Sequence, residues 1–444
     1  MTRRTWESLA ARATVMRLAG AAVMFLLLVP PPPAAADEVR LLPTPQEAAE
    51  ERVRLVLEAR SEINAEYFIV GRDPFSLTAL SLLRQAARRG LTVRLLVDAQ
   101  WNKMPRGVEA HLLEEGIEIR RYHPFRLWKP WWITRRLHDK LLVVDGESMV
   151  AGGRNIESPY FDLGRQLGRR NYIDLDILVR GESAAHARAY FMTLWDSDQV
   201  RRSKAHVPPD RLRRASELLD GYQQWLEERI QSVRERAAAP RRRTDVGAVD
   251  FLHDPVGHKG RGRGVGHALL GLMDAAESSI LIESPYLVPS RALRKGLARA
   301  HSRGVRVRIL TNSLQSTDNL FPQAGYDGKK KKLVRNGVEL WEYAGPECLH
   351  SKAAVIDDRV VIVGSFNLDP RSEHLNTELA IVVQNTELAT AMLGEMNRHL
   401  EQAVRIDRDG RPEGSSRRYP GAPFWKVVKL RLLRLISPLI KNQL

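Results

Sequence analysis

One set of polar residues occurs twice in this chain, at the same spacing each time. Counting from a histidine, both copies have a lysine at +2, an aspartate at +7, a glycine at +14 and an asparagine at +17. The members are His138, Lys140, Asp145, Gly152 and Asn155 in the first copy, and His350, Lys352, Asp357, Gly364 and Asn367 in the second. A single His-x-Lys is weak evidence, but four equal offsets in two copies indicate an internal duplication.

The segments that precede the two copies predict the fold class. Residues 60–98 and 277–312 each give a short strand, a tight connection, a helix that ends in Arg-Gly and a second strand. Gly90 and Gly304 fit helix C-termini, where glycine accepts the left-handed conformation. A strand-helix-strand crossover pairs its strands in parallel, so the sequence predicts an α/β fold.

The spacing also predicts a chemistry. Side chains at i and i+2 of a strand share a face, so each histidine points the same way as the lysine that follows it. Two halves related by a pseudo-two-fold axis would surround one cavity with two imidazoles, two ammonium groups and two amides. Lysine and asparagine can hold phosphoryl oxygens, while one histidine attacks phosphorus and the other protonates the leaving alcohol.

The duplicated His-x-Lys-x4-Asp motif resembles that of the phospholipase D superfamily, and the resemblance covers about residues 41–400. Within the superfamily, the chain is similar to the C-type branch of the bacterial cardiolipin synthases. The residues that carry this finer match are Gly152-Gly153-Arg154-Asn155-Ile156, Tyr160-Phe161, Ser284-Pro285-Tyr286, Asn367-Leu368-Asp369-Pro370-Arg371-Ser372 and Asn376-Thr377-Glu378. The resemblance implies two α/β/α domains with the active site at their interface.

The resemblance also implies a set of site residues and a metal-independent reaction through a phosphohistidine, with no cofactor. The candidate catalytic residues are His138, Lys140, Asp145, His350, Lys352 and Asp357. Candidates for phosphate binding or support are Asn155, Asn367, Ser365 and Gly153. A carboxylate beyond each motif is expected to orient its histidine, Asp174 for His138 and Glu378 for His350.

Three details qualify this set. Asp145 and Asp357 look structural in the family, where they support the lysine or neighbouring loops. The Gly-Ser pair of the family stands as Gly364-Ser365 in the second copy but as Gly152-Gly153 in the first. The first histidine is more often the nucleophile in the family, which favours His138 for that role and His350 as the acid.

Charge leaves three functions open. A net charge of +16 favours anionic partners, whether lipid, nucleic acid or polyphosphate. A transferase would make cardiolipin from phosphatidylglycerol and a second phospholipid, a phospholipase D would use water as acceptor, and a nuclease would use the same site on nucleic acid. The finer motifs and the ends of the chain favour an anionic phospholipid substrate at a membrane surface, without a nucleic acid partner.

The ends of the chain indicate an association with membranes. Residues 1–36 hold arginines, an apolar run and Ala34-Ala35-Ala36, which predicts a signal peptide or a membrane anchor. Residues 420–444 place Trp425, Val428 and Leu432 at helical spacing among basic residues, which predicts a membrane-associating amphipathic tail. We expect a protein of the bacterial inner membrane, peripheral or N-terminally anchored, with its body on the periplasmic side.

Two further expectations concern the middle of the chain. Trp128, Trp131 and Trp132, interleaved with basic residues just before His138, predict a loop that touches the bilayer. The domain boundaries follow the duplication, with an N-terminal domain and its basic connector at 41–240 and a C-terminal domain at 241–410. Cys348 is the single cysteine, so no intramolecular disulfide can form.

Overall fold

Two sheets of equivalent topology form the framework of the protein. A computed structural model describes residues 36–125, 134–238, 244–246, 249–257 and 264–436. The predicted N-terminal signal or anchor segment and the three tryptophans at 128, 131 and 132 therefore lie outside the described residues, as does the predicted domain boundary near residue 240. We call residues 37–246 the first half and residues 249–436 the second half.

The strands and helices follow in chain order. The strands are β1 (Asp37–Leu42), β2 (Glu62–Tyr67), β3 (Thr92–Asp98), β4 (Glu118–Tyr122), β5 (Arg136–Leu137), β6 (Lys140–Val144), β7 (Ser148–Gly152), β8 (Tyr172–Ile173), β9 (Asp176–Arg180), β10 (Val200–Arg202), β11 (Thr244–Val246), β12 (Val249–His253), β13 (Ser279–Glu283), β14 (Arg306–Asn312), β15 (Glu339–Tyr343), β16 (Cys348–Leu349), β17 (Ala353–Ile356), β18 (Val360–Gly364), β19 (Asn376–Thr377), β20 (Leu379–Gln384) and β21 (Ala403–Arg405). The helices are α1 (Pro45–Glu58), α2 (Pro74–Arg88), α3 (Arg106–Glu114), α4 (Glu182–Trp195), α5 (Pro209–Ala238), α6 (Val265–Ala275), α7 (Arg291–Ser302), α8 (Leu320–Asp327), α9 (Lys330–Arg335), α10 (Pro370–His374), α11 (Thr386–Glu401) and α12 (Phe424–Ile436).

The strand orders confirm the duplication. Within the described ranges, the first sheet runs β10-β4-β3-β2-β6-β7-β9-β1-β11 and the second runs β12-β20-β18-β17-β13-β14-β15-β21. In each sheet three strands pair in parallel, β2-β3-β4 and β13-β14-β15, and the neighbouring strands pair antiparallel. The predicted strand-helix-strand crossovers are therefore present in both halves.

The crossover helices have capped N-termini, and they end where the sequence predicts. Asp73 and Ser290 cap α2 and α7, each accepting a hydrogen bond from a backbone N–H of the first turn. Both helices stop at an arginine, which is followed by Gly90 at φ +90° or Gly304 at φ +91°. Because a side chain at such a φ is strained, glycine ends each helix and turns the chain back toward the sheet.

Alternation along the central strands separates the three largest hydrophobic cores of the described residues. Leu141 and Val143 of β6 face a core shared by both halves, while Leu142 and Val144 face the core of the first half. The strands β17, β18 and β20 of the second half divide their side chains in the same way between the shared core and a core of their own. These strands are apolar on both faces because helices or the other half cover each side.

Two short parallel ladders join the halves. The strand β5 pairs with β19, with Arg136 opposite Asn376, and β16 pairs with β8, with Cys348 opposite Tyr172. One strand of each ladder leads into a histidine motif, and the other comes from the opposite half. The ladders therefore fix how the two motifs approach each other. No helix in the described ranges is both long and apolar enough to cross a bilayer.

The halves differ behind the histidine motifs, where two buried glutamates occupy equivalent positions of β2 and β13. Glu283 of β13 accepts hydrogen bonds from Ser351 and from His399 of α11, the latter at 2.8 Å. Its counterpart, Glu66 of β2, lies near Asp139, and neither oxygen of Glu66 has a hydrogen-bond partner in the described structure. Burial and the nearby charge of Asp139 raise the pKa of Glu66 well above its usual value.

The His399–Glu283 pair predicts a pH-dependent stability. Burial opposes the charge of His399, but the contact with Glu283 raises the pKa of His399 above 6.5. The stability from this pair is therefore complete below pH 6.5 and is lost as the pH rises through the raised pKa. We expect His399→Ala to lower the free energy of unfolding by about 1 kcal/mol or more at pH 6 and by less at pH 8.5. Denaturant unfolding at both pH values tests this prediction, and substitution of the exposed His301 by alanine is the control. An equal loss at both values would contradict the prediction.

Candidate active site

Both motif histidines open onto one cavity of about 620 Å³. His138 follows β5, His350 follows β16, and both side chains are almost completely buried. The cavity lies where the two inter-half ladders meet, and both halves contribute to its lining. The predicted position of the site at the interface of the duplicated halves is therefore observed.

Each histidine is held by a carboxylate of the other half. The Nδ1 atom of His138 lies 3.0 Å from Oε2 of Glu378, and Nδ1 of His350 lies 2.6 Å from Oδ2 of Asp174. The predicted pairing, Asp174 with His138 and Glu378 with His350, is wrong. The ladders give the reason: Glu378 directly follows β19, the partner of β5, while Asp174 directly follows β8, the partner of β16.

The pairing leaves Nε2 of each ring as the atom available for chemistry. Burial lowers the pKa of His138 to about 4, and burial together with the charge of Lys352 lowers that of His350. The histidines in turn help to keep the pKa values of Glu378 and Asp174 low in spite of burial. A neutral imidazole that donates from Nδ1 to a carboxylate carries its lone pair on Nε2, where it can act as a nucleophile or a base.

The lysines lie beneath the histidines and not on the cavity wall. Lys140 is fully buried, and its Nζ donates to the backbone carbonyl of His138. Lys352 donates to the carbonyl of His350 and lies 2.7 Å from Nδ1 of that ring. Burial lowers the pKa of Lys140 to about 7. Direct contact between these lysines and phosphoryl oxygens stays a prediction.

The asparagines reach the cavity, as the motif predicts. Asn155 accepts from the backbone N–H of Ile69 at 3.1 Å and donates to the hydroxyl of Tyr160 at 3.0 Å. Asn367 also lines the cavity, and its Oδ1 has no hydrogen-bond partner among the described residues. Asn367 therefore has bonding capacity to spare for a ligand.

The Gly-Gly pair of the first copy has a steric reason. A Cβ atom on Gly153 would lie 2.1 Å from Oδ1 of Asp174, so a serine there would displace this carboxylate. In the second copy, Ser365 occupies the equivalent position and its hydroxyl donates to Oε2 of Glu378. Each copy thus matches its small residue to its carboxylate, Gly153 with Asp174 and Ser365 with Glu378.

Asp145 and Asp357 do not belong to the cavity, so their place among the candidate catalytic residues is wrong and the structural interpretation is confirmed. Asp145 accepts hydrogen bonds from the backbone N–H groups of residues 60–62, between α1 and β2. Asp357 does the same for residues 277–279, between α6 and β13. Both adopt a positive φ, 54° and 52°, which aspartate tolerates better than most residues. These aspartates hold the loops that lead into β2 and β13.

Sequence reasoning assigned no role to the aromatic residues of the cavity. Tyr160, Tyr172 and Tyr286 present their rings edge-on to His350 at 5.2, 5.3 and 6.3 Å between centroids. Phe68 contacts His138 in the same manner at 5.2 Å. Tyr160 and Tyr286 lie in motifs that matched the family, but only the fold shows that they surround a histidine.

The described residues offer no obvious metal site. Within the described ranges, no group of three or more histidine, cysteine, aspartate or glutamate side chains is arranged to hold an ion. Cys348 is buried, and burial raises the pKa of its thiol well above the usual value. It therefore packs as a small apolar residue.

Comparison with known proteins gives a consistent set of relatives. The family model described as "Cardiolipin synthase, PLD-like domain" matches residues 53–195 and 269–400. Cardiolipin synthase C of Escherichia coli is 31% identical over 87% of this chain and 92% of its own length. A cardiolipin synthase of Geobacillus sp. is 26% identical over 91% of this chain and 73% of its own length.

A solved structure shares the fold. The crystal structure of phosphatidylserine synthase from Haemophilus influenzae aligns with a TM-score of 0.65, covering 91% of this chain and 95% of that one. At 17% identity this likeness concerns the fold alone. It agrees with the two duplicated halves observed here.

The position of Asp357 predicts a loss of stability without a loss of chemistry. We expect Asp357→Ala to lower the free energy of unfolding by about 1–3 kcal/mol, because three backbone N–H groups lose their acceptor. Turnover of a phosphodiester substrate per folded molecule should stay within about twofold of wild type. Asp358→Ala is the matched control, since Asp358 has the same φ of 52° and so carries the same backbone cost. A large fall in turnover in folded Asp357→Ala would return this residue to the catalytic group.

Proposed function

The chain belongs to the cardiolipin synthase, PLD-like domain family of phosphatidyltransferases, and on that basis we propose that it makes cardiolipin from phosphatidylglycerol and a second phospholipid. The observation that carries the proposal is the pair of crossed histidine–carboxylate contacts facing one cavity. Two equivalent imidazoles suit a reaction in two displacement steps, because one can bond to phosphorus while the other transfers the proton.

The proposed reaction passes through a phosphohistidine. In the first step, Nε2 of one neutral histidine attacks phosphorus and the bond to the headgroup oxygen breaks. The second histidine enters this step protonated on Nε2 and gives that proton to the leaving oxygen. In the second step, the hydroxyl of an acceptor lipid loses its proton to the second histidine and attacks phosphorus, which breaks the N–P bond. Glu378 and Asp174 hold the rings and stabilise the positive charge that each develops in turn.

A direct assay tests this proposal. The full chain is incubated with phosphatidylglycerol vesicles in EDTA, beside His138→Ala and His350→Ala, and cardiolipin, glycerol and phosphatidic acid are quantified. We expect cardiolipin with equimolar glycerol, and a loss of at least about 10²–10⁴-fold in each variant because each removes a nucleophile or an acid–base group. The exposed His186→Ala is the control and should match wild type.

The other products have defined meanings. Phosphatidic acid without cardiolipin would identify water as the acceptor and the protein as a phospholipase D. Cleavage of single-stranded DNA without lipid turnover would replace the proposal with a nuclease. Cardiolipin formation that survives both histidine substitutions would reject the phosphohistidine step.

We also propose that α12 binds the surface of an anionic membrane. One side of this helix packs on the protein: Leu430 is fully buried, Lys426 donates to the carbonyl of Thr317 at 2.7 Å, and Arg434 contacts Asp327 at 2.8 Å. The opposite side exposes an apolar stripe that follows helical spacing. Its members are Trp425, Val428, Leu432 and Leu435, with the still more exposed Phe424 at the start of the helix.

The surroundings of the stripe support a lipid occupant. Lys429 and Arg431 lie on the same helix, and basic residues beside an apolar face favour an anionic bilayer. α12 packs on α8, whose first turn contributes Phe321 and Pro322 to the catalytic cavity. Phe321 is itself half exposed. A bilayer on this surface would therefore lie beside the cavity that takes its lipids.

The helix predicts a separable defect in membrane binding. We expect Trp425→Glu combined with Leu432→Glu to weaken binding to phosphatidylglycerol vesicles by at least about tenfold, because two apolar contacts are replaced by charges that the surface repels. Vesicle co-sedimentation measures the binding. Leu218→Glu, at an exposed leucine of α5, is the matched control. Unchanged vesicle binding in the double variant would reject α12 as the docking surface.

A further inference from the structure

Among the described residues, each motif histidine follows a two-residue strand that has a single neighbouring strand. In a parallel ladder, the backbone groups of successive residues point to opposite sides, so one neighbour can bond only every second residue. On β16, the N–H groups of Cys348 and His350 donate to the carbonyls of Asn171 and Ile173, at 3.0 and 2.7 Å. The N–H and C=O groups of Leu349 therefore point away from β8, although Leu349 is fully buried.

A buried amide bonds the groups that this ladder leaves over. Asn312 is the last residue of β14 and is fully buried. Its Oδ1 accepts from the N–H of Leu349 at 3.0 Å, and its Nδ2 donates to the carbonyl of the same residue at 2.7 Å. Nδ2 also donates to the carbonyl of Pro285 at 3.3 Å, just before Tyr286, whose ring faces His350. Asn312 therefore fixes the backbone from which this histidine projects, together with one wall of its surroundings.

The first half has the equivalent contact at Asp98. Counted from the glycines that end the crossover helices, Asp98 and Asn312 both lie at +8, and both are buried at the end of a central strand. Oδ2 of Asp98 accepts from the N–H of Leu137, the residue before His138, at 3.1 Å. Oδ1 accepts from the N–H groups of residues 100–101 at 2.9 and 3.0 Å. Three N–H donors suit a carboxylate, whereas one N–H and two carbonyls suit an amide.

We propose that Asn312 positions His350, and that Asp98 positions His138, for transfer of the phosphatidyl group. Neither side chain is among the described residues that line the cavity, so each acts through the backbone just before its histidine. The ring of each histidine is held by a carboxylate of the other half, while its backbone is held by a residue of its own half. The inference rests on the proposed function only for its effect on turnover.

The positions of the rings can be measured without a substrate. In the full-length protein labelled with ¹⁵N on histidine, NMR follows the Nδ1 protons of His138 and His350, which are assigned from the alanine variant of each histidine. We expect Asn312→Ala to shift or broaden the His350 signal and to leave the His138 signal in place. Asn312→Leu has a side chain of similar size that forms no hydrogen bond, and it should act in the same way. Asp357→Ala should move neither signal.

Turnover gives a second readout. With phosphatidylglycerol vesicles, we expect kcat per folded molecule of Asn312→Ala and Asn312→Leu to fall about 10–100-fold, because a displaced imidazole slows the chemical step. The KM should stay within about twofold of wild type, because lipid binding keeps its contacts. Asp357→Ala is the matched control, since it also removes a side-chain acceptor of backbone N–H groups in the second half.

Asp98→Ala is the corresponding test on the other side and should move the His138 signal alone. Asn312 gives the simpler comparison, because Asp98 carries a charge that also acts on Arg136 and Arg371.

The outcomes separate the positioning from the function. An unmoved His350 signal in Asn312→Ala, or a kcat equal to that of Asp357→Ala, would overturn the inference and leave the transferase intact. Equal movement of both histidine signals would mean a general loosening of the protein and would also overturn it. Asn312→Leu decides the matter where the alanine variant does not fold. Wild type that forms no cardiolipin would reject the proposed function, while the NMR signals would still decide the positioning.

Discussion

The site depends on two hydrogen bonds that cross between the halves, His138 to Glu378 and His350 to Asp174. Each half supplies one histidine, and the carboxylate that orients this histidine comes from the other half. The short ladders β5–β19 and β8–β16 bring these groups together, because each ends directly at a histidine on one strand and near a carboxylate on the other. Packing of the shared core is therefore a condition for chemistry as well as for stability.

Sequence reasoning reached the framework of the protein because its strongest signals are local. Equal offsets from His138 and His350 revealed the duplication, and the glycines at 90 and 304 marked the ends of crossover helices. These features depend on residues close together in the chain, so they are readable without a fold.

The predictions that were wrong concern contacts between distant segments. Aligning the copies shows that Asp174 and Glu378 are equivalent, but it cannot show which histidine each one meets. That choice is made by the crossing of the ladders. Asp145 and Asp357 are candidate catalytic residues in the sequence because each recurs near a histidine. Only their hydrogen bonds to loop N–H groups show that they have a structural role. The aromatic surroundings of His350 come from both halves of the chain, at Tyr160, Tyr172 and Tyr286, and no spacing rule connects these positions.

The crossed arrangement has a consequence for how such a chain can change by mutation. Two identical single-copy chains related by a two-fold axis would form the same pair of crossed contacts. In that dimer, any change in the gene would appear on both sides of the cavity at once, so an arginine at one histidine would require an arginine at the other. A chain that encodes both copies is free of this rule. This chain has two differences that a single gene copy could not encode. Arg136 occupies the position equivalent to Cys348, and Gly153 is paired with Asp174 while Ser365 is paired with Glu378.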